Sequence, residues 1–149
     1  MNWGLVVDWD AKPLINARAE TLEQKKTFRG LLANRCLVPA SAYFEWRKDG
    51  RARRKNRIAI GDGMQKSLFA FAGLYDGERF TIISCPPAPS IAHIHNRMPV
   101  IVGSEAEARW INPDMSFDAL SGVLIAYQAG PLDALEETPP TDPQADLFD

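Results

Sequence analysis

Two apolar runs joined by Asp76-Gly77 constrain the fold of this chain more than any other feature. Residues 68–75 and 79–85 are rich in aromatic and β-branched side chains. An Asp-Gly pair readily takes the positive φ values of a type I′ turn, so this stretch predicts a β-hairpin. A second, looser hairpin is expected at Asp49-Gly50, joining residues 42–47 to 57–60 through a basic loop. Shorter strands are expected at 4–7, 36–38, 100–102 and 123–127. Thr21 with Gln24, and Ser104 with Glu107, have the spacing of capping boxes. The first predicts a helix running to about Asn34, with Phe28, Leu31 and Leu32 as its core stripe. The second predicts one that ends before Pro113, anchored by Trp110. The class is α+β: a curled mixed or antiparallel sheet, able to close into a barrel, with flanking helices.

At 149 residues and 16.6 kDa, with 46% apolar and 24% charged residues, the chain has the balance of one ordinary globular domain. That excludes a disordered tail protein and a collagen-like repeat. No apolar run approaches the roughly 20 residues of a bilayer helix, so no membrane partner is expected. The start, Met1-Asn2-Trp3-Gly4-Leu5, has no secretory pattern. Cys36 and Cys85 are too few for a disulfide framework and lack ligand spacing, so a reducing, cytoplasmic address without metal or cofactor is expected.

Charge is unevenly placed. No Lys or Arg follows Arg109, and residues 131–149 carry six acids, which leaves 17 basic against 13 acidic residues in 1–130, a net of +4. The division expected is a body of residues 1–130 and an extended, acidic, Pro-rich tail from 131 to 149. Arg47, Lys48, Arg51, Arg53, Arg54, Lys55 and Arg57 face a single nearby acid, Asp49. Such a cluster suits a polyanion, because each neutralised phosphate releases counterions; a solvated loop is the plainer alternative. The tail could likewise lie over this patch, although a passive tail is the simpler expectation.

Glu45 sits in an expected strand between Phe44 and Trp46, where an unpaired carboxylate is costly. A carboxyl there either pairs with a base or has its pKa raised, as a general acid/base needs; an inward Glu paired with an arginine for structure is the alternative. His95 follows Ile94 and precedes Arg97-Met98-Pro99; an imidazole there is able to relay protons, and a structural role is the alternative. His93 lies two residues away and would share a face with His95 in an extended segment, which is weak evidence for a metal. Asn16 and Arg18, also two apart, would point the same way from a strand, one toward a ligand oxygen and one toward a phosphate. The competing reading pairs Arg18 with Glu20.

Taken in order, Trp3-Gly4-Leu5-Val6, Ile15-Asn16-Ala17-Arg18-Ala19-Glu20-Thr21, Arg35-Cys36-Leu37-Val38-Pro39-Ala40, Phe44-Glu45-Trp46 and His95-Asn96-Arg97-Met98-Pro99-Val100 resemble the SRAP family. These are SOS-response-associated peptidase domains that shield abasic sites in DNA. The resemblance spans roughly residues 3–111. It implies a curled β-sheet with flanking helices, and single-stranded DNA carrying an abasic site as partner. It also implies site roles for Asn16, Glu45 and His95, and phosphate binding by Arg18. Trp9 falls near an aromatic of the family's DNA surface. Arg97, Arg51, Arg53 and Arg54 complete the expected DNA-binding set.

In that family a cysteine after the initiator methionine closes on the aldehyde of the abasic sugar as a thiazolidine. This chain has Asn2 at that place, and Asn2 disfavours methionine removal. Two expectations follow: an upstream start carrying Met-Cys, or a short member that binds damaged DNA without cross-linking it. A thiol hydrolase using Cys85 and His95 is the reading from another class.

Overall fold

The computed structural model describes residues 1–61 and 67–137. The chain opens with four short strands, β1 (Asn2–Trp3), β2 (Leu5–Val7), β3 (Asp10–Leu14) and β4 (Asn16–Arg18). After a short helical segment come β5 (Arg35–Ala40), β6 (Tyr43–Asp49), β7 (Ala52–Ile60), β8 (Phe69–Tyr75) and β9 (Arg79–Cys85). Then follow β10 (Met98–Pro99), β11 (Ile101–Val102) and, near the end of the described residues, β12 (Leu132–Glu136). The helices are α1 (Lys26–Arg29), α2 (Ser104–Trp110) and α3 (Phe117–Leu120), with 3-10 turns at Ala19–Thr21, Pro89–Ile91 and Ser121–Val123.

The expected central hairpin is present. β8 and β9 pair antiparallel, and β8 is buried along almost its whole length, so it reads as an apolar run rather than an alternation. β9 is the hub of a seven-stranded mixed sheet. Along one edge it takes β1 and then β4, both parallel, while β5 and β11 join β8 antiparallel and β10 joins the end of β9. A three-stranded sheet, β12-β7-β6, and the hairpin of β2 and β3 complete the α+β architecture. Among the described residues the sheets do not close into a barrel. No described helix is long and apolar enough to cross a bilayer.

Gly4 has φ near +100°, and a Cβ there would lie 2.6 Å from Cβ of Pro13. Only glycine lets the start of β2 pass this close to the end of β3. At the β8–β9 turn, Gly77 alone has positive φ, so the turn is not type I′. The Asp76 carboxylate instead accepts from the Glu78 and Arg79 backbone N–H groups at 3.1 and 2.8 Å.

Several expectations are corrected. The helix expected from Thr21 to Asn34 is reduced to a 3-10 turn, α1 and further turns, and Thr21 Oγ1 donates to the Arg18 carbonyl at 3.4 Å instead of capping. Phe28 is nonetheless buried, with Leu31 and Leu32 against the core. α2 lies where it was expected, with Trp110 fully buried, but its N-cap is Gly103 and Ser104 forms no capping box. Residues 123–127 form no strand; the chain turns at Ser121–Val123 and buries Leu124 at the core edge. The expected basic loop is a ladder of strand residues, paired from Tyr43↔Ile58 to Asp49↔Ala52. The passive tail from 131 is also corrected: β12 pairs with β7 over five residues, because its apolar Leu132 and Ala134 pack against the core. The remainder of that tail, 138–149, lies outside the described residues.

Arg35 fastens the helical side to the sheet. It is 7% exposed, and its guanidinium donates to the carbonyls of Trp110 (2.7 Å), Leu32 (2.8 Å), Asn112 (2.7 Å) and Met115 (2.9 Å). Trp110 in turn donates from Nε1 to the Cys36 carbonyl at 3.0 Å. Replacing Arg35 by Ala strands these acceptors in the interior, and a loss of about 3 kcal/mol in urea unfolding is expected. A loss below about 1 kcal/mol would contradict this role.

Candidate nucleic-acid site

The β4 strand alternates strictly. Ala17 is buried while Asn16 and Arg18 on either side are exposed, so both project from one face into a cleft. Its parallel pairing with β9 sets Asn16 beside Ile82 and Arg18 beside Ser84. Glu45 enters from β6, an edge strand of the three-stranded sheet, with Phe44 and Trp46 turned to the other face. His95 and Arg97 come from the turn after Pro89–Ile91, which is pinned by buried Ile91 and Ile94.

These pieces meet. Asn16, Arg18, Glu45, His95 and Arg97 line one cavity of about 230 Å³, with Ser84, Met98 and Pro99. His95 Nε2 lies 3.9 Å from Glu45 Oε1, beyond direct hydrogen-bond length and close enough for a ligand atom to bridge them. His95 Nδ1 has two partners at 3.2 Å, the backbone N–H and the carbonyl of Arg97. Both contacts fix the orientation of the ring in the turn. Glu45 thus faces an imidazole, and it makes no ion pair with an arginine among the described residues.

Arg97 is committed within the protein. Its guanidinium donates to both Glu20 carboxylate oxygens (2.6 and 2.9 Å), to the Ser84 carbonyl (2.6 Å) and to Ser84 Oγ (3.1 Å). The terminal nitrogens of Arg97 are thus engaged with the site wall, which gives it a positioning role, while its Nε–H is buried without a partner among the described residues. The hydrogen bonds from Arg97 hold the Glu20 carboxyl below its ordinary value. Glu20 therefore does not hold Arg18, which makes no ion pair among the described residues and remains open to an anion. Glu20 and Ser84 were missed as site-builders: Glu20 was read only against Arg18, and Ser84 is a small polar residue inside an apolar strand.

Other expected residues lie apart. Trp9 is 69% exposed in the turn between β2 and β3 and does not line the cavity. Arg51 is exposed at the tip of the β6–β7 hairpin. Arg54 is paired with Asp49 at 3.3 Å and approaches Glu136 at 4.0 Å, so it is no free phosphate ligand. Arg53 lines a neighbouring cavity. His93 sits in a turn rather than a strand, and no group of three His, Cys, Asp or Glu residues able to hold a metal exists among the described residues. Cys85 is fully buried, and burial pushes its thiol up to about 11. Burial does the same to Cys36. A neutral, enclosed thiol is no nucleophile, which removes the hydrolase reading.

An amide, a carboxylate, an imidazole and an unpaired arginine gathered at the edge of a mixed sheet define a small α+β protein with a polar, cationic site. The family model for SOS response associated peptidase (SRAP) matches residues 1–138, and the chain belongs to that family. It is 35% identical to the abasic site processing protein YoaM of Bacillus subtilis, over 100% of this chain and 74% of that relative. It is 38% identical to YoqW of the same organism, also called an abasic site processing protein, over 91% of this chain and 67% of that one. A crystal structure of a protein from Bacteroides thetaiotaomicron superposes with a TM-score of 0.77 at 28% identity, covering 95% of this chain and 72% of that one.

The Glu20–Arg97 pair carries a pH signature. A carboxyl held below its ordinary value adds stability above the unfolded value near 4.5, and that stability is lost as pH falls through the lower folded value. The Tm of the wild-type protein should therefore exceed that of Glu20→Gln at pH 6, and the gap should close as pH falls below about 4.5. A gap that widens in acid would contradict the pairing.

Proposed function

We propose that this chain recognises abasic sites in single-stranded DNA, with Arg18 holding a phosphate and Asn16, Glu45 and His95 facing the exposed sugar. One observation carries the reading: residues from four separate stretches of sequence line a single polar cavity of about 230 Å³. The names of the relatives support the same substrate class.

The chemistry follows from the groups. Opening of an abasic sugar exposes an aldehyde and requires a proton to move between the ring oxygen and the anomeric hydroxyl. In this reading Glu45 and His95, 3.9 Å apart, give and take that proton, while an amide at Asn16 holds a hydroxyl or the carbonyl oxygen. Thiazolidine formation would need an amine and a thiol beside Glu45. Neither Cys36 nor Cys85 lines the cavity, so the proposal covers recognition and proton handling and leaves the cross-link aside.

A binding module for single-stranded DNA in general is the second reading, favoured by the basic β6–β7 ladder. Fluorescence anisotropy separates the two. Tighter binding to a strand with a central abasic site than to the intact strand is expected, and equal affinities would favour the general module. Replacing Arg18 by Gln should weaken binding and make the salt dependence shallower by about 0.7 in log–log slope, one phosphate's share. An unchanged slope would remove the phosphate role.

A further inference from the structure

The β6–β7 ladder sorts its charges by face. Residues directly opposite in an antiparallel pair share a face, so Arg47 and Arg54 lie together, as do Lys48 and Arg53. The first pair is neutralised: Arg47 meets Glu136 at 2.8 Å, and Arg54 meets Asp49 at 3.3 Å. Lys55 meets Glu137 at 3.0 Å and lies 4.2 Å from the Phe44 ring centroid. Lys48 and Arg53 make no ion pair among the described residues, although they stand directly across from each other. Like charges so placed repel, and the strand pairing tolerates them without a protein counter-ion in the described residues.

Their location gives that cost a use. Lys48 and Arg53 line a cavity of about 440 Å³ with Trp46 and His93, and its walls include Glu45 and His95. Glu45 and His95 are also shared with the cavity that holds Arg18. The Glu45–His95 pair therefore forms the partition between two cavities, one with Arg18 and the other with Lys48 and Arg53. Trp46 is 47% exposed beside the second, an available stacking surface for a base.

We propose that Lys48 and Arg53 form a second phosphate-holding subsite, with Trp46 as its stacking platform, so that one DNA strand is gripped on both sides of the nucleotide facing Glu45 and His95. This rests on the reading of the cleft as a single-stranded DNA site. It assigns the two ends of the strand to different cations, Arg18 at one and Lys48 with Arg53 at the other. Glu136 at the end of β12 and Glu137 just after it meet Arg47 and Lys55, and neither pairs with Lys48 or Arg53.

The test uses the full chain, the K48Q/R53Q double variant and R18Q. The probes are a single strand with a central stable abasic analogue, two shortened forms lacking the nucleotides on one side or the other, and an intact strand of equal length. The wild-type protein should lose affinity when either side is shortened. K48Q/R53Q should bind the full strand about tenfold more weakly at ~50 mM salt, with a log–log salt slope shallower by about 1.4. It should then lose little more when one particular side is removed, and R18Q should show the converse dependence on the other side. Wild-type affinity in the double variant, or equal sensitivity to both shortenings, would overturn the subsite. Should the intact strand bind as well as the abasic one and depend equally on Lys48 and Arg53, the subsite stands and the abasic reading falls. Wild-type binding to neither strand removes both. Relief of repulsion should leave the Tm of the double variant at or above wild type; a drop of several degrees would assign the pair to stability instead.

Discussion

The site depends on one guanidinium. Arg97 bridges the Glu20 carboxylate, just past β4, and the Ser84 carbonyl and hydroxyl on β9, while its own backbone carries both partners of His95 Nδ1. Strand, turn and imidazole are thereby referenced to one planar fork. Charge-assisted, two-pronged bonds of this kind fix direction as well as distance. Lysine would keep the charge and lose the geometry. Arg35 performs a comparable task away from the cleft, gathering four carbonyls at the C-terminal end of α2 and the loops beside it. Both are arginines whose donors face inward, so neither counts toward the cationic surface.

That distinction changes how the charge of the molecule is understood. The basic residues of the β6–β7 segment look equivalent along the sequence, yet pleating divides them between two faces and β12 neutralises part of one. Among the cations without an ion pair in the described residues, Arg18 lies on one side of Glu45 and His95, and Lys48 and Arg53 on the other. Surface ion pairs such as Lys55–Glu137 contribute little to stability. Their effect here is to decide which cations stay open to a ligand.

Much of the architecture could be read in advance where local signals were strong. The β8–β9 hairpin, the burial of Trp110 and the shared face of Asn16 and Arg18 follow from apolar runs around a turn signal, apolar content and alternation, although the turn itself is not the expected type I′. The convergence of Asn16, Glu45 and His95 came from the ordered motifs of the SRAP resemblance, since no periodicity connects residues so far apart. Failures have equally specific causes. Thr21-x-x-Gln24 promised a long helix, but the chain there turns to deliver Glu20 to Arg97. Residues 123–127 have β-branched and aromatic content yet find no strand partner. Leu132–Glu136 looked like a tail because its acids masked the alternate apolar residues that pair it with β7. The partner choices of Glu20, Arg97 and Arg54 are tertiary events, invisible to spacing alone.

The most direct measurement is a backbone and imidazole NMR titration of the labelled chain with single-stranded DNA carrying a stable abasic analogue. The expected result is perturbation centred on Asn16, Arg18, Glu45 and the His95 ring, reaching Trp46, Lys48 and Arg53, with the α2 and α3 side of the molecule silent. Shifts confined to the α2–α3 side, with Glu45 and His95 unmoved at saturation, would contradict the account.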